Sequence, residues 1–253
     1  MSVEEMEAEF GVLAAWTADA VRRLGPEYAI AAACKGSASP GALGWLASVC
    51  GLREGSLLVD VGGGMGGPVA FARRRFGVRP VVLEPMGAAC RAARDLFAVP
   101  AWRSDGQRLP LADGSVDAVW CLGVLCTTPD RHDLLAEIVR VMKPGARLGL
   151  LVFTADEPRP PGAPEGNVFP AAAELPGMLA EHGLTIVGTV GWEDVHDQEE
   201  DEWRRLAGEV QTLVDRLHDG DPRLDEVHEQ ERRIGRLIRD GVVRAMLIGA
   251  VLG

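Results

Sequence analysis

The sequence predicts an α/β fold in which a mostly parallel sheet is covered by helices on both faces. From Ser56 onward, short apolar runs of strand length alternate with amphipathic segments of helix length, which is the pattern of consecutive βαβ units. A glycine-rich stretch at 62–67 follows the first strand and opens the next helix, where open α/β sheets hold their ligands. Because 253 residues fit one large domain at roughly 100 to 200 residues per domain, we expect a single domain over residues 1–253.

An N-terminal helical cap is predicted over residues 1–50, ahead of the sheet. Apolar residues at near-helical spacing run from Met6 to Leu24, where a Gly-Pro pair ends the helix. A second helical piece continues to Lys35, and a short helix follows the turn at 36–40.

Seven strands and four helices are predicted in the region that follows. The strands are predicted at 57–61, 80–83, 100–103, 116–122, 147–153, 184–190 and 242–251. The helices between them are predicted at 69–76, 87–97, 131–142 and 172–182. Lys143, Pro144 and Gly145 predict a tight turn into the fifth strand, and the Pro/Gly-rich stretch at 158–170 predicts a loop. Residues 192–241, which are helical in pattern and highly charged, form an insertion between the last two strands.

The charge balance indicates which class of ligand the protein binds, and the cysteines indicate the cellular compartment. Thirty-seven acidic against 26 basic side chains leave a formal net charge of -11, which disfavours nucleic acid and an anionic membrane and favours a small-molecule substrate. The five cysteines are odd in number and form no CxxC pair, so we expect buried thiols rather than disulfides or a metal site. The start of the chain is acidic, unlike a secretory signal, and the apolar run at 245–252 is too short to cross a bilayer. We therefore expect a cytoplasmic protein.

The glycine-rich stretch is the most informative segment for function. Glycines let a ligand approach the backbone closely, and the following helix N-terminus offers N–H donors to an anionic group. Gly62, Gly64 and Gly67 also satisfy the GxGxxG pattern of dinucleotide-binding proteins, so the spacing alone does not identify the ligand. Asp60, two residues before the first glycine, would repel a pyrophosphate and attract an ammonium or sulfonium group. The segment therefore favours a cationic ligand.

Over about residues 57–153 the chain resembles the class I S-adenosylmethionine-dependent methyltransferases that act on small molecules. The motifs that carry the resemblance are Asp60 with Gly62, Gly64 and Gly66, then Glu84, the triplet Ser104-Asp105-Gly106, and the segments 109–117 and 137–148. The resemblance implies a Rossmann-like, seven-stranded, mostly parallel sheet with an antiparallel last strand. It also implies a cofactor-binding core at 55–153, with the cap at 1–50 and a helical lid at 192–241.

The resemblance further implies that S-adenosylmethionine is the cofactor and which residues bind it. Glu84 stands where a carboxylate can accept hydrogen bonds from both ribose hydroxyls, and Asp105 stands where it can accept one from the adenine amine. The backbone of Cys121 and Leu122 would face the methionine part. The full set of implied cofactor residues is Asp60, Gly62, Gly63, Gly64, Gly66, Glu84, Pro85, Met86, Asp105, Gly106, Cys121 and Leu122.

The substrate site is less well defined by the sequence. Between residues 123 and 130 many relatives carry a histidine-bearing stretch that this chain lacks, so no catalytic base is named. Methyl transfer does not always need one, since an in-line displacement on a sulfonium depends chiefly on alignment. The insertion would either roof the substrate pocket or form a stability element or homodimer surface. The candidate substrate contacts are Tyr28, Cys126, Trp192, His196 and Trp203.

The expected function is transfer of a methyl group from S-adenosylmethionine to an oxygen, nitrogen or carbon atom of a small molecule, in specialised metabolism. One alternative is a protein that binds the same cofactor but catalyses another reaction, such as a cyclisation, since fold does not determine chemistry. A weaker alternative is a nicotinamide-dependent oxidoreductase, which the GxGxxG spacing allows and Asp60 disfavours.

Overall fold

The computed structural model describes residues 3–34, 38–128 and 130–253, and side chains from Gly11 onward within those ranges. The predicted end of the second helical piece at Lys35 and part of the turn predicted at 36–40 lie outside the described residues. The predicted side-chain periodicity around Met6 also lies outside them.

The strands form one seven-stranded sheet in the order β3-β2-β1-β4-β5-β7-β6. Neighbouring strands from β3 to β5 are parallel, whereas β7 runs antiparallel to both β5 and β6. The strands are β1 (Leu57–Val61), β2 (Arg79–Glu84), β3 (Ala101–Arg103), β4 (Val116–Leu122), β5 (Met142–Thr154), β6 (Leu184–Gly191) and β7 (Arg244–Leu252). The predicted Rossmann-like α/β fold with an antiparallel last strand is confirmed.

Helices cover both faces of the sheet, as the alternation of strands and helices predicts. The helices are α1 (Val3–Leu24), α2 (Ala29–Ala33), α3 (Pro40–Val49), α4 (Gly67–Phe76), α5 (Gly87–Phe97), α6 (Arg131–Val141), α7 (Leu175–Glu181), α8 (Glu200–Leu217) and α9 (Pro222–Arg239). Short 3-10 turns lie at Pro26–Tyr28 and Trp192–Asp194. Among the described helices, none is long and apolar enough to cross a bilayer.

Alternate side chains of the central strands enter two separate cores. Trp120 of β4 packs with Leu46 of α3 and Phe71 of α4 on one face. Val119, its neighbour in the strand, packs with Ile138 of α6 on the other face. Because β4 is buried on both sides, its sequence is continuously apolar apart from Asp117. This arrangement leaves the carboxyl ends of β1, β2 and β4 at one edge, where the glycine-rich turn begins.

Two of the element boundaries predicted after residue 50 differ from the structure by three residues or more. The helix predicted at 172–182 begins only at Leu175, because residues before it form a turn in which Glu174 accepts a hydrogen bond from the Ala171 N–H at 3.2 Å. The turn predicted at 143–145 falls inside β5 as an irregularity, since Met142 pairs with Val116 and the next paired residue of β5 is Arg147, opposite Ala118. Gly145 has a φ of +77° there, and the strand register shifts before the regular ladder resumes.

Candidate ligand site at the carboxyl ends of the strands

The glycine-rich turn is built so that its backbone borders open space. Gly62, Gly64 and Gly66 have φ values of +72°, +52° and +77°, a left-handed region that favours glycine. The Gly62 N–H donates a hydrogen bond to the Leu83 carbonyl of β2 at 2.7 Å. Among the described residues, no heavy atom lies within 4 Å of a Cβ added at Gly64. The turn is thus anchored to the sheet on one side and exposed to a cavity on the other.

The cavity against this turn has a volume of about 430 Å³ and will be called the first cavity. It is bordered by residues 62–65 and by side chains from β1, β2, α1 and the end of β4. The ionisable side chains among its described lining residues are Asp60, Glu84 and Glu231. All three are carboxylates, so the cavity attracts cations and repels phosphate groups.

Asp60 is the unusual group in this cavity. The residue is fully buried, and neither carboxylate oxygen has a hydrogen-bond partner among the described residues. Burial raises the pKa of Asp60 well above its ordinary value, and the nearby charge of Glu84 raises it further. An unpaired buried carboxylate is unfavourable in a folded protein. A ligand that donates hydrogen bonds or carries positive charge would relieve that penalty.

Glu84 connects β2 to the glycine-rich turn. Its Oε2 accepts a hydrogen bond from the Gly64 N–H at 2.9 Å, and its Oε1 accepts one from the Met86 N–H at 3.0 Å. Burial raises the pKa of this carboxyl, and these two backbone hydrogen bonds partly oppose the rise. Each carboxylate oxygen keeps further acceptor capacity, so Glu84 can shape the turn and still accept hydrogen bonds from a ligand.

Only some of the other predicted cofactor residues line the first cavity. Gly62, Gly63, Met86 and Leu122 line it. Gly66 caps α4, and a Cβ there would meet Ala93 and Val82 at 3.2 and 3.3 Å. Pro85 lies half-buried beside Glu84, and Cys121 is fully buried in the core below.

Asp105 and Gly106 do not line the first cavity in this structure. Asp105 is exposed and its Oδ1 accepts a hydrogen bond from the Gln107 N–H at 3.1 Å. Gly106 has a φ of +84° and lies close to Leu134. A contact between this pair and an adenine ring stays a prediction.

A second cavity of about 740 Å³ adjoins the first. Apolar side chains dominate its walls, including Phe153 and Val243 from the edge of the sheet. Pro164 and Asn167, from the predicted loop at 158–170, also line it. The two cavities share Leu13, Leu122 and Glu231 among the described lining residues. The volume of the second cavity falls within the range of roughly 300 to 1,000 Å³ found for pockets that bind drug-sized molecules.

The structure brings two of the five predicted substrate residues to the second cavity. Cys126 and Trp192 line it. Tyr28 instead donates a hydrogen bond to Glu209 of α8 at 2.8 Å. The backbone of His196 lies against Gly41 of α3. Trp203 lines neither cavity and packs edge-on against Phe71 of α4, with 5.9 Å between the ring centroids.

Trp203 lines a separate cavity of about 500 Å³ together with Phe71 and Leu206, so a contact between Trp203 and the substrate stays a prediction. The apolar stripe of α8 faces α1, α2 and α4, and its Val210, Leu213 and Val214 join their core. The apolar face of α9 lines the second cavity instead. Of the two insertion helices, α9 therefore provides the roof and α8 packs against the N-terminal cap.

Replacing Trp203 by alanine should lower the free energy of unfolding by about 2 kcal/mol. Removing a fully buried aromatic side chain costs roughly 3 to 5 kcal/mol, and we expect a smaller loss here because Trp203 is half-buried. Ligand affinity should not change. Chemical denaturation and calorimetry would measure the two quantities. The matched control is Trp102→Ala, because Trp102 is 46% exposed and should matter less to stability. If the Trp203 variant keeps its stability but binds the ligand more weakly, Trp203 contacts the ligand.

Sequence reasoning missed the polar residues that α9 presents to the second cavity. Val227, Gln230, Glu231, Ile234 and Ile238 all line it and recur at the spacing of one helix face. A signal was available, because two polar residues interrupt an otherwise apolar stripe. Helix packing alone would favour an apolar residue at the partly buried Gln230.

The sequence comparison identifies a conserved domain type in the core of the chain. Residues 59–150 match the profile of a family described as "Methyltransferase domain". Among curated proteins, methyltransferase GfsG of Streptomyces halstedii is 30% identical over 106 residues, which are 39% of this chain and 38% of that protein. The chain therefore matches less than half of the length of this relative.

Two solved structures share the fold over most of the chain. The [4+2]-cyclase SpnF matches with a TM-score of 0.66 at 20% identity, over 83% of this chain and 79% of that chain. Geranyl diphosphate C-methyltransferase from Streptomyces coelicolor A3(2), in complex with Mg²⁺, geranyl diphosphate and S-adenosyl-L-homocysteine, matches with a TM-score of 0.60 at 19% identity. That match covers 83% of this chain and 76% of that chain. At such identities the similarity concerns the fold.

Proposed function

We propose that the chain belongs to the class I S-adenosylmethionine-dependent methyltransferases and methylates a small molecule, and the match of residues 59–150 to a methyltransferase domain supports this proposal. The observation that carries the proposal is Asp60, fully buried at the wall of the first cavity with both oxygens unpartnered among the described residues. S-adenosylmethionine would supply a methyl group activated by its sulfonium charge. Its sulfonium and ammonium groups suit a cavity whose described ionisable groups are all carboxylates.

In this proposal the chain's own residues bind and align the two ligands. Asp60 would hold the ammonium group, Glu84 the ribose hydroxyls, and the backbone around Gly64 the part of the cofactor nearest the turn. Leu13 and Leu122, which line both cavities, would keep water away from the place where the ligands meet. Exclusion of water and alignment are the main contributions a protein makes to such a displacement.

The proposed organisation follows the sequence segments. Residues 55–153 would form the cofactor-binding core, residues 1–50 the cap, and residues 192–241 the lid over the substrate. A small-molecule substrate in specialised metabolism belongs to the same proposal. One structure that shares the fold is a geranyl diphosphate C-methyltransferase, whose own substrate is a small molecule.

The first cavity disfavours the oxidoreductase alternative. A nicotinamide dinucleotide would place two phosphate charges near the glycine-rich turn, beside Asp60 and Glu84. Those carboxylates lie in a buried setting where charge repulsion is poorly screened.

A second candidate function keeps the cofactor without methyl transfer. The similarity to the [4+2]-cyclase SpnF supports it, because that fold match covers 83% of this chain. Under this candidate the second cavity would hold a reactive apolar substrate, and the cofactor would only complete its wall.

Titration calorimetry with S-adenosylhomocysteine and with NAD tests the proposal. We expect S-adenosylhomocysteine to bind with a dissociation constant of about a micromolar or less, that is roughly -8 kcal/mol, and NAD to bind at least a hundredfold more weakly. Tighter binding of NAD would contradict the proposal. Incubation with methyl-labelled S-adenosylmethionine and extracts of the source organism separates the two candidates, because only a methyltransferase moves label into a small molecule.

A further inference from the structure

The two cavities meet at a place where only one described lining residue is polar. Leu13 and Leu122 form the apolar part of the shared wall, and Glu231 is the third shared residue. Under the proposed function the reacting atoms of the two ligands must come together at this junction. A carboxylate there would contact the substrate close to its nucleophilic atom.

Glu231 is accompanied by a second acceptor on the same helix face. Gln230 lines the second cavity, and its Oε1 is buried without a hydrogen-bond partner among the described residues. A buried acceptor without a donor is unfavourable. Gln230 and Glu231 are flanked by Val227 and Ile234 on the cavity side of α9. The Glu231 side chain is exposed, whereas packing does not explain the buried Oε1 of Gln230.

The charged groups of the second cavity restrict the substrate further. Its described acidic and basic lining residues are Glu193, Glu231 and Arg244, which leave a net charge of about -1 when all three are ionised. The exposed Arg244 and Glu193 lie away from the shared wall, which contains Glu231 alone among charged groups. An anionic group at the junction would face Glu231 together with Asp60 and Glu84 across the first cavity.

We propose, resting on the proposed function, that the substrate is a mainly apolar molecule whose hydroxyl or amine group is held at the junction by Glu231 on α9. Glu231 accepts a hydrogen bond from that O–H or N–H group, and Gln230 Oε1 accepts one from a second donor. The apolar body fills the space between Phe153, Trp192 and Ile234. Glu231 thus selects against substrates whose reacting end is a carboxylate or phosphate.

Three fluorescent probes with one apolar body test this inference in the protein saturated with S-adenosylhomocysteine. They are 1-pyrenemethylamine, 1-pyrenemethanol and 1-pyrenecarboxylate, titrated by fluorescence. We expect the amine and the alcohol to bind the wild-type protein at least tenfold more tightly than the carboxylate, since charge-assisted hydrogen bonds are the strong ones. In Glu231→Gln the preference for the amine should fall about tenfold.

The matched control is Glu226→Gln, the same change on the same helix at an exposed residue that lines neither cavity. It should bind all three probes as the wild type does. Calorimetry of both variants with S-adenosylhomocysteine shows whether the first cavity is intact, and we expect less than a threefold change.

The outcomes separate this inference from the proposed function. If the wild-type protein does not bind S-adenosylhomocysteine, the proposed function is wrong. If it binds that ligand but no probe, binds the carboxylate as tightly as the amine, or keeps its preference in Glu231→Gln, the inference alone is overturned. The inference would also be overturned if Glu231→Gln weakened the binding of S-adenosylhomocysteine as much as the binding of the amine probe. Glu231 would then act on the ligand of the first cavity only.

Discussion

Replacing Asp60 by asparagine should weaken S-adenosylhomocysteine binding by about a hundredfold and at the same time raise the melting temperature of the ligand-free protein. The loss of affinity follows because a buried carboxylate that pairs with an ammonium group is replaced by a neutral amide. A hundredfold corresponds to about 2.7 kcal/mol, within the roughly 2 to 5 kcal/mol of binding energy lost when one member of a buried charged pair is removed. The gain in stability follows because both oxygens of Asp60 are buried without a hydrogen-bond partner in the part of the chain that the structure describes.

The pH dependence of stability gives a second readout for Asp60. Burial raises its pKa in the folded state above the ordinary value of 3.8, so the folded protein holds this proton more firmly than the unfolded chain. The contribution of Asp60 to stability is therefore greatest below about pH 4 and is lost as the pH rises toward the folded-state pKa. Asparagine does not titrate, so the variant should lack this loss.

Calorimetry and thermal unfolding at several pH values measure both effects. Asp95→Asn is the matched control, because Asp95 is exposed on α5 and borders neither cavity. It should change neither quantity. If Asp60→Asn keeps its affinity, or melts at a lower temperature than the wild type, Asp60 is a structural residue and the cationic ligand loses its main support.

The elements that could be predicted to the residue are those in which burial alone determines the pattern. β1, β4 and α5 have the predicted bounds, which are 57–61, 116–122 and 87–97. β4 is a central strand buried on both faces, so its apolar run begins and ends with the strand. α5 is strongly amphipathic, with Ala89, Cys90 and Ala93 buried on one side. The conformation of ordered loops, such as the segment before Leu175, depends on side-chain hydrogen bonds. The spacing of apolar residues in the sequence does not predict such bonds.

The parts of the candidate site that could be predicted from the sequence are those defined by a charged residue or by glycines. Asp60 next to several glycines indicates a cation and a close backbone approach, whereas its lack of partners is visible only in three dimensions. Trp203 shows the limit of helical periodicity, which indicates an apolar face without indicating its partner. The sequence placed Trp203 toward the substrate, and in the structure it meets Phe71. Glu231 was missed because the apolar members of the α9 stripe were considered without the polar residues between them.

Replacing Gly64 by valine should weaken S-adenosylhomocysteine binding by several factors of ten while leaving a folded protein. A side chain at this position meets no heavy atom of the described residues within 4 Å and points into the first cavity, so it would occupy the volume of the ligand. At about 1.4 kcal/mol per factor of ten, a thousandfold loss corresponds to roughly 4 kcal/mol. The φ of +52° adds a conformational penalty of about 1 to 2 kcal/mol for a β-branched residue.

Gly51→Val separates the backbone penalty from the effect on the ligand. Gly51 has a φ of +61°, has no heavy atom within 4 Å of an added Cβ, and lies outside the first cavity. Its replacement should destabilise the protein about as much as Gly64→Val, because both glycines adopt the left-handed conformation. Only Gly64→Val should lose affinity in calorimetry. Equal affinities for the two variants would mean that the ligand does not approach the glycine-rich turn, and the first cavity could not be the cofactor site.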